Sequence, residues 1–169
     1  MSTFVKPCAW ATFFRGELPY ERGPEERLKV SLEAGSTFVD VGANVGYYTR
    51  KAVKLVGHAG RVASFEPSPR AFSLLERNVS DLPQARIYQC AVGASRLKAS
   101  FGVRDKRDAS SLLSYGDGRR LIIEVAPLDE ILAGWTNLDM MKIDVEASEL
   151  EVLKRGRAPH CPNRAVSSI

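Results

Sequence analysis

The chemistry-bearing residues of this chain are spaced along three short stretches. Asp40, Gly42, Asn44 and Gly46 fall within FVDVGANVGYYT, Glu66 within SFEPSP, and Asp144 and Glu146 within MKIDVEAS. A glycine turn that follows an apolar strand and precedes a helix lets a backbone approach a ligand closely and adopt positive φ at little cost. In a doubly wound sheet such a turn lies beyond the carboxyl ends of the strands, where ligands bind.

The turn lacks the full GxGxxG spacing that aims helix amides at a pyrophosphate. Its pattern is Asp-x-Gly-x-Asn-x-Gly, and a carboxylate at Asp40 would repel a pyrophosphate. The same carboxylate suits a ligand carrying ammonium or sulfonium charge, a description that S-adenosylmethionine meets. Glu66 falls at the end of the next strand, where a carboxylate can accept both hydroxyls of a ribose. Ribose binding is common to nicotinamide and S-adenosylmethionine sites, so Glu66 does not separate them. A glycine turn with a nearby acid is also ordinary α/β architecture, which is the bland alternative.

The elements that must position these residues alternate. STFVDVG reads as a strand, GYYTRKAVKLVG as a helix with Tyr48, Ala52, Val53 and Val56 on one face, and RVASFEP as a second strand. PRAFSLLERNV reads as a helix with Phe72, Leu75 and Val79 inward, and ARIYQCAVG as a third strand. This β-α-β-α-β order with short connections predicts a mostly parallel, doubly wound α/β sheet. LKASFGV and RRLIIEV follow as strands around the polar loop RDKRDASSLLSYGDG, then LDEIL as a short helix, LDMMKIDV as an apolar strand and SELEVLKRG as a helix. Ahead of the alternation, residues 1–23 read as an irregular, aromatic-rich lead-in and PEERLKVSLEA as a helix.

Composition sets wide limits. The 169 residues suffice for one domain with a real core, and 44% hydrophobic with 26% charged residues is globular composition. The formal charge is +4, and Lys154, Arg155, Arg157 and Arg164 cluster near the end, which fits a solvated basic end better than a nucleic-acid groove. Cys8, Cys90 and Cys161 are far apart, and with two histidines they form no zinc-like pattern, so reduced thiols in a cytoplasm are expected and no metal is assigned. No apolar run approaches the ~20 residues of a membrane span, and the start lacks the pattern of a signal peptide.

The ordered set FVDVGANVGYYT, FEPSPRAFSLLERN, CAVG, SSL, PLDEIL and MKIDVEASELEVLKRG resembles the FkbM family of S-adenosylmethionine-dependent methyltransferases, over roughly residues 35–156. The resemblance implies a Rossmann-like class I methyltransferase fold and methyl transfer to a hydroxyl of a sugar or a natural-product small molecule. It divides the chain into a lead-in and helix (1–34), a cofactor-binding core (35–156) and an irregular tail (157–169). By position, Asp40, Gly42, Asn44 and Gly46 would line the methionine and ribose side of the cofactor and Glu66 would hold the ribose hydroxyls. Ala91 and Val92 would contribute backbone contacts near the adenine, and Asp144 and Glu146 would end the fourth core strand facing the reacting centre.

Two departures from the family pattern stand out. Ala147 replaces the glycine usual after the DVE triplet, and the chain stops thirteen residues after Gly156, where three further strands are expected. Truncation of the last strands is the reading drawn from this, and a shifted reading frame or a shortened fragment would also explain it. With its last strands missing, the sheet would leave LDMMKIDV uncovered on one side, and self-association through an exposed edge is expected.

A sugar hydroxyl is a weak acid, so a base should help remove its proton. Asp144 and Glu146 are the candidate base and orienting residue; as alternatives, the pair favours the dipole of the following helix, or Asp144 orients the cofactor's ammonium or binds a divalent ion. His58 follows the first helix of the alternation, which puts it at the amino end of the sheet, away from the site. Where amine methyltransferases acting on bases carry a (D/N)PP(Y/F)-like turn, this chain has IDVEAS, so nucleic acid is not the expected acceptor. Two other readings are a catalytically impaired, cofactor-binding fragment and a nucleotide-dependent oxidoreductase. Asn44 and Asp40 count against the latter.

Overall fold

A computed structural model describes residues 3–5, 24–103, 110–111 and 119–144. Its elements in chain order are β1 (Thr3–Val5), α1 (Pro24–Ser31), β2 (Thr37–Val41), α2 (Tyr47–Val56), β3 (Arg61–Phe65), α3 (Pro69–Val79), β4 (Ala85–Tyr88) and β5 (Ala91–Val92). They continue with β6 (Leu97–Val103), β7 (Ser110–Ser111), β8 (Arg119–Ala126), α4 (Leu128–Ile131) and β9 (Met140–Ile143).

The main sheet runs β1-β9-β2-β3-β4. β9, β2, β3 and β4 are mutually parallel, and β1 pairs antiparallel with β9. From β2 the chain winds outward through β3 to β4, then returns at β9 on the other side of β2. Strand order therefore reverses between β2 and β9, the crevice where ligands bind in open α/β sheets.

Period-two alternation divides the sheet's side chains between two layers. Phe38, Val62 and Met140 pack with Ala52, Val53 and Val56 of α2 and Leu28 of α1. Val39, Val41, Ala63, Phe65, Met141 and Ile143 face the other layer, formed by Leu128 and Leu132 with Trp135 and Leu138. Burial on both faces is why these strands read as near-continuous apolar runs. On α2 the buried residues are Thr49, Ala52, Val53 and Val56, so Thr49 takes the inward place expected of Tyr48, which is half-buried. Leu75 and Val79 of α3 are buried as their spacing predicts, with Phe72 packed partly against them.

Register between β2 and β9 is set at their amino ends by Asp139, whose carboxylate accepts the Thr37 N–H at 2.7 Å while its own N–H donates to the Thr37 hydroxyl at 3.1 Å.

Three expectations change. The segment ARIYQCAVG is two strands: β4 stops at Tyr88, and β5 pairs parallel with Val125 and Ala126 in a second sheet ordered β5-β8-β6-β7. Residues 1–23 are not irregular throughout, since Thr3–Val5 pairs with Val5–Met141 to Thr3–Ile143 register along the outer edge of β9. That pairing answers the third expectation as well: β9 has a strand on each side and all its residues are buried, so LDMMKIDV is not uncovered there. The expected strands LKASFGV and RRLIIEV are β6 and β8, which pair antiparallel over the length of both segments. The expected helix SELEVLKRG, the residue Ala147 and the tail after Gly156 lie outside the described residues.

Candidate functional site

The carboxyl ends of β2, β3 and β9 converge on the turn 42–46. Gly42, Asn44 and Gly46 all have positive φ, at 75°, 51° and 87°. Asn44 is the non-glycine residue there, and asparagine tolerates this region better than most side chains. Gly46 is fixed by packing as well as by φ, because a Cβ at this position would lie 2.7 Å from Leu75 Cδ1 of α3. Gly46 is buried against that helix, whereas Asn44 is exposed and Gly42 half-buried at the turn's surface.

The turn's amides are largely consumed by the protein itself. The N–H groups of Gly42 and Ala43 both donate to the Phe65 carbonyl at 3.0 Å, and that of Gly46 donates to the Ala43 carbonyl at 2.9 Å. The Asn44 N–H donates to Glu66 Oε2 at 2.9 Å. A phosphate-binding loop holds such donors ready for the ligand. This turn does not.

Glu66 is 7% exposed. Its other oxygen, Oε1, accepts the Ser68 N–H at 2.9 Å. A carboxylate has about four acceptor positions, so each oxygen keeps capacity for one further donor. Burial pushes the Glu66 carboxyl above its ordinary value, and the Ser68 and Asn44 amides pull partly against that shift. Asp40 raises it further and Lys142 lowers it.

Asp40 does not stand where its expected role needs it. Its carboxylate is 0% exposed, with Oδ2 accepting from the Thr49 hydroxyl at 2.8 Å and Oδ1 from Lys142 Nζ at 3.0 Å. Period two turns Asp40 toward α2, not toward the cleft, so its charge is met inside the protein. The case against a pyrophosphate therefore passes from Asp40 to the occupied amides of the turn. Because the Thr49 proton goes to Asp40, Ser64 Oγ, 2.8 Å from Thr49 Oγ1, must be the donor in that pair.

Lys142 is the buried charged residue beneath this turn that sequence reasoning missed. It pairs in register with Asp40 across β2 and β9 and is 2% exposed. Besides Asp40, its ammonium donates to the Gly42 carbonyl at 3.0 Å and lies 3.7 Å from Asp144 Oδ2. The Tyr48 ring centroid is 5.2 Å from the same nitrogen, within cation–π range. A readable signal existed: two apolar strands each carry one charged residue, of opposite sign, near the carboxyl end.

Asp144 begins where β9 ends, its N–H donating to the Val41 carbonyl at 3.0 Å and its side chain 34% exposed. Glu146 lies outside the described residues. Ala91 and Val92 are buried in the ladder with β8 rather than at the end of β4, so Gln89, exposed, is the residue that leaves that strand. His58 sits at the opposite, amino end of the sheet, 3.2 Å from Gln84 Nε2, as its place in the sequence predicts.

Thus the structure brings Gly42, Asn44, Glu66, Lys142 and Asp144 to one edge, with Asp40 beneath it. Among these described residues the Lys142 ammonium lies between Asp40 and Asp144, and both Asp40 and Lys142 act electrostatically on Glu66.

Comparison with known proteins gives the family. The family model described as methyltransferase FkbM domain matches residues 40–162. Methyltransferase sdnD of Sordaria araneosa is 24% identical over 160 residues, covering 73% of this chain and 61% of its own length. The chain therefore spans about 61% of that curated relative. Among solved structures, methyltransferase FkbM from Methylobacillus flagellatus is 23% identical with a TM-score of 0.49, covering 72% of this chain and 29% of the other. Fibrillarin from Aeropyrum pernix, solved with S-adenosyl-L-methionine, is 20% identical with a TM-score of 0.35, covering 36% and 26% of the two chains. With the family model spanning most of the chain, from the acid of the glycine turn past the end of β9, this protein belongs to the FkbM methyltransferase domain family.

Proposed function

We propose that this chain carries the cofactor site of an S-adenosylmethionine-dependent methyltransferase that acts on a hydroxyl of a sugar or a natural-product small molecule. The observation that carries the reading is Glu66, whose buried carboxylate is held by the Asn44 and Ser68 amides at the switch-point cleft with acceptor capacity left on each oxygen. Two ribose hydroxyls would complete it. Half-buried Gly42 and exposed Asn44 would flank the methionine side, and the occupied turn amides favour a ligand without a pyrophosphate.

When bound, S-adenosylmethionine supplies a methyl group on a sulfonium sulfur, activated for displacement by an oxygen nucleophile. The protein's part is then orientation, which can contribute on the order of 7–11 kcal/mol, and removal of the acceptor's proton. Asp144, a part-exposed carboxylate at the end of β9, is the group assigned to that proton. Glu146 keeps its expected role as an orienting residue. A free, buried thiol at Cys90 supports a cytoplasmic place of action, and among the described residues no helix is long and apolar enough to cross a membrane.

The test is calorimetric titration of S-adenosylhomocysteine into the full chain, with Glu66→Gln alongside. Saturable binding weakened in the variant supports the reading, and a folded chain that takes up none of the ligand overturns it. Methyl transfer from labelled cofactor to a panel of sugars and hydroxylated metabolites would then identify the acceptor.

A further inference from the structure

Lys142 has no part in the chemistry just described, yet it is the most heavily engaged polar side chain of the site. A lysine 2% exposed inside a parallel sheet is costly unless its charge is paired and its donors are used. Here one donor meets Asp40 Oδ1 and another the Gly42 carbonyl, each at 3.0 Å. The first contact alone would balance the charge. The second reaches out of the strand ladder into the turn itself.

Its consequence is geometric. Drawing the Gly42 carbonyl inward orients the peptide that links Gly42 to Ala43, whose N–H points to Phe65. The next amide, Asn44, is the one that holds Glu66. Lys142 thus stands at the head of a relay from β9, through the turn, to the carboxylate at the end of β3. The amino ends of β2 and β9 are already tied by Thr37 and Asp139, so strand register does not depend on Lys142.

We propose that Lys142 is a positioning residue that sets the conformation of the turn 42–44 and through it the placement of Glu66. The inference rests on the methyltransferase reading only for its choice of ligand probe.

Lys142→Met alone leaves Asp40 buried without its cation and is expected to destabilise the chain. The informative variant is Lys142→Met combined with Asp40→Asn, which removes both charges and leaves side chains of similar volume, a change often tolerated in buried pairs. In the full-length double variant, the Ala43 and Asn44 amides should exchange with solvent about tenfold faster while those of Val53 and Val56 are unchanged. S-adenosylhomocysteine affinity should fall about tenfold, the effect of losing one charge-assisted hydrogen bond. A purely structural ion pair would leave exchange at Ala43 and Asn44 unchanged once both charges are gone. Unaltered exchange at Ala43 and Asn44 overturns the proposal, whether or not affinity falls. If the unmodified chain fails to bind the probe, the methyltransferase reading fails, and exchange alone decides the role of Lys142.

Discussion

The Asn44 N–H donates to Glu66 Oε2 at 2.9 Å, joining the turn after β2 to the end of β3. An exposed residue with φ of 51° is thereby tied to a carboxylate that is almost wholly buried. Glu66→Gln replaces one acceptor oxygen by a donor and leaves either Asn44 or Ser68 facing the wrong group. Hydrogen bonds to charged groups contribute about 1.5–3 kcal/mol, so S-adenosylhomocysteine affinity should fall roughly 10- to 100-fold. Calorimetry at neutral pH reads this directly, and affinity equal to that of the unmodified chain would remove Glu66 from the site.

The same carboxylate makes binding pH-dependent. Burial raises its folded-state pKa above the ordinary glutamate value, and only the ionised form accepts two hydroxyls fully. Affinity should climb as pH rises through the raised pKa, and Glu66→Gln should flatten that climb. Stability runs the other way. The folded chain holds this proton more tightly than the unfolded one, so the contribution from Glu66 is full below the unfolded pKa and is lost as pH rises through the folded pKa. Urea titrations of both proteins across mildly acidic pH would show the difference.

Glycine substitutions separate strain from collision. Gly35 has φ of 89° and open space where a Cβ would go, so Gly35→Ala should cost about 1–2 kcal/mol from backbone strain. Gly46→Ala adds a contact of 2.7 Å with Leu75 Cδ1, and overpacking contributes roughly 1–3 kcal/mol more. Equal losses for the two variants in chemical denaturation would mean that α3 yields freely.

Thr49→Val keeps shape and removes the hydroxyl that links Ser64 to Asp40. Two buried groups then lose a partner, at about 1–3 kcal/mol each. Thermal unfolding should show the loss even though no residue exposed at the turn has changed.

His58→Ala should leave S-adenosylhomocysteine affinity unaltered, since His58 lies at the amino end of the sheet beside Gln84. A marked loss would place a binding group at the wrong end of the strands.

Helical periodicity made α2 and α3 legible because each buries one face, β2 and β3 were legible as apolar runs buried on both faces, and the glycine turn was legible because its backbone needs positive φ. β1 was not: three residues carry too little pattern, and their pairing is decided by the distant edge of β9. The break after Tyr88 was equally hidden, because both halves of ARIYQCAVG are strands and only a change of sheet divides them. At the site, Glu66 was placed by counting along the chain. Asp40 was given the wrong surroundings because its partner, Lys142, lies 102 residues away inside an apolar run.

The pairing of Thr3 with Ile143 also orders events during synthesis. β2, β3 and β4 leave the ribosome in succession and can pair as they appear, but β9 follows much later and β1 must wait for it. At about 5–20 residues per second, Thr3–Val5 precedes its partner by roughly seven to thirty seconds. During that interval the outer edge of β2 has no neighbour, and the Gly42 turn has no lysine to hold it. The edge of β2 and the turn after it are therefore completed only with the arrival of a single four-residue strand.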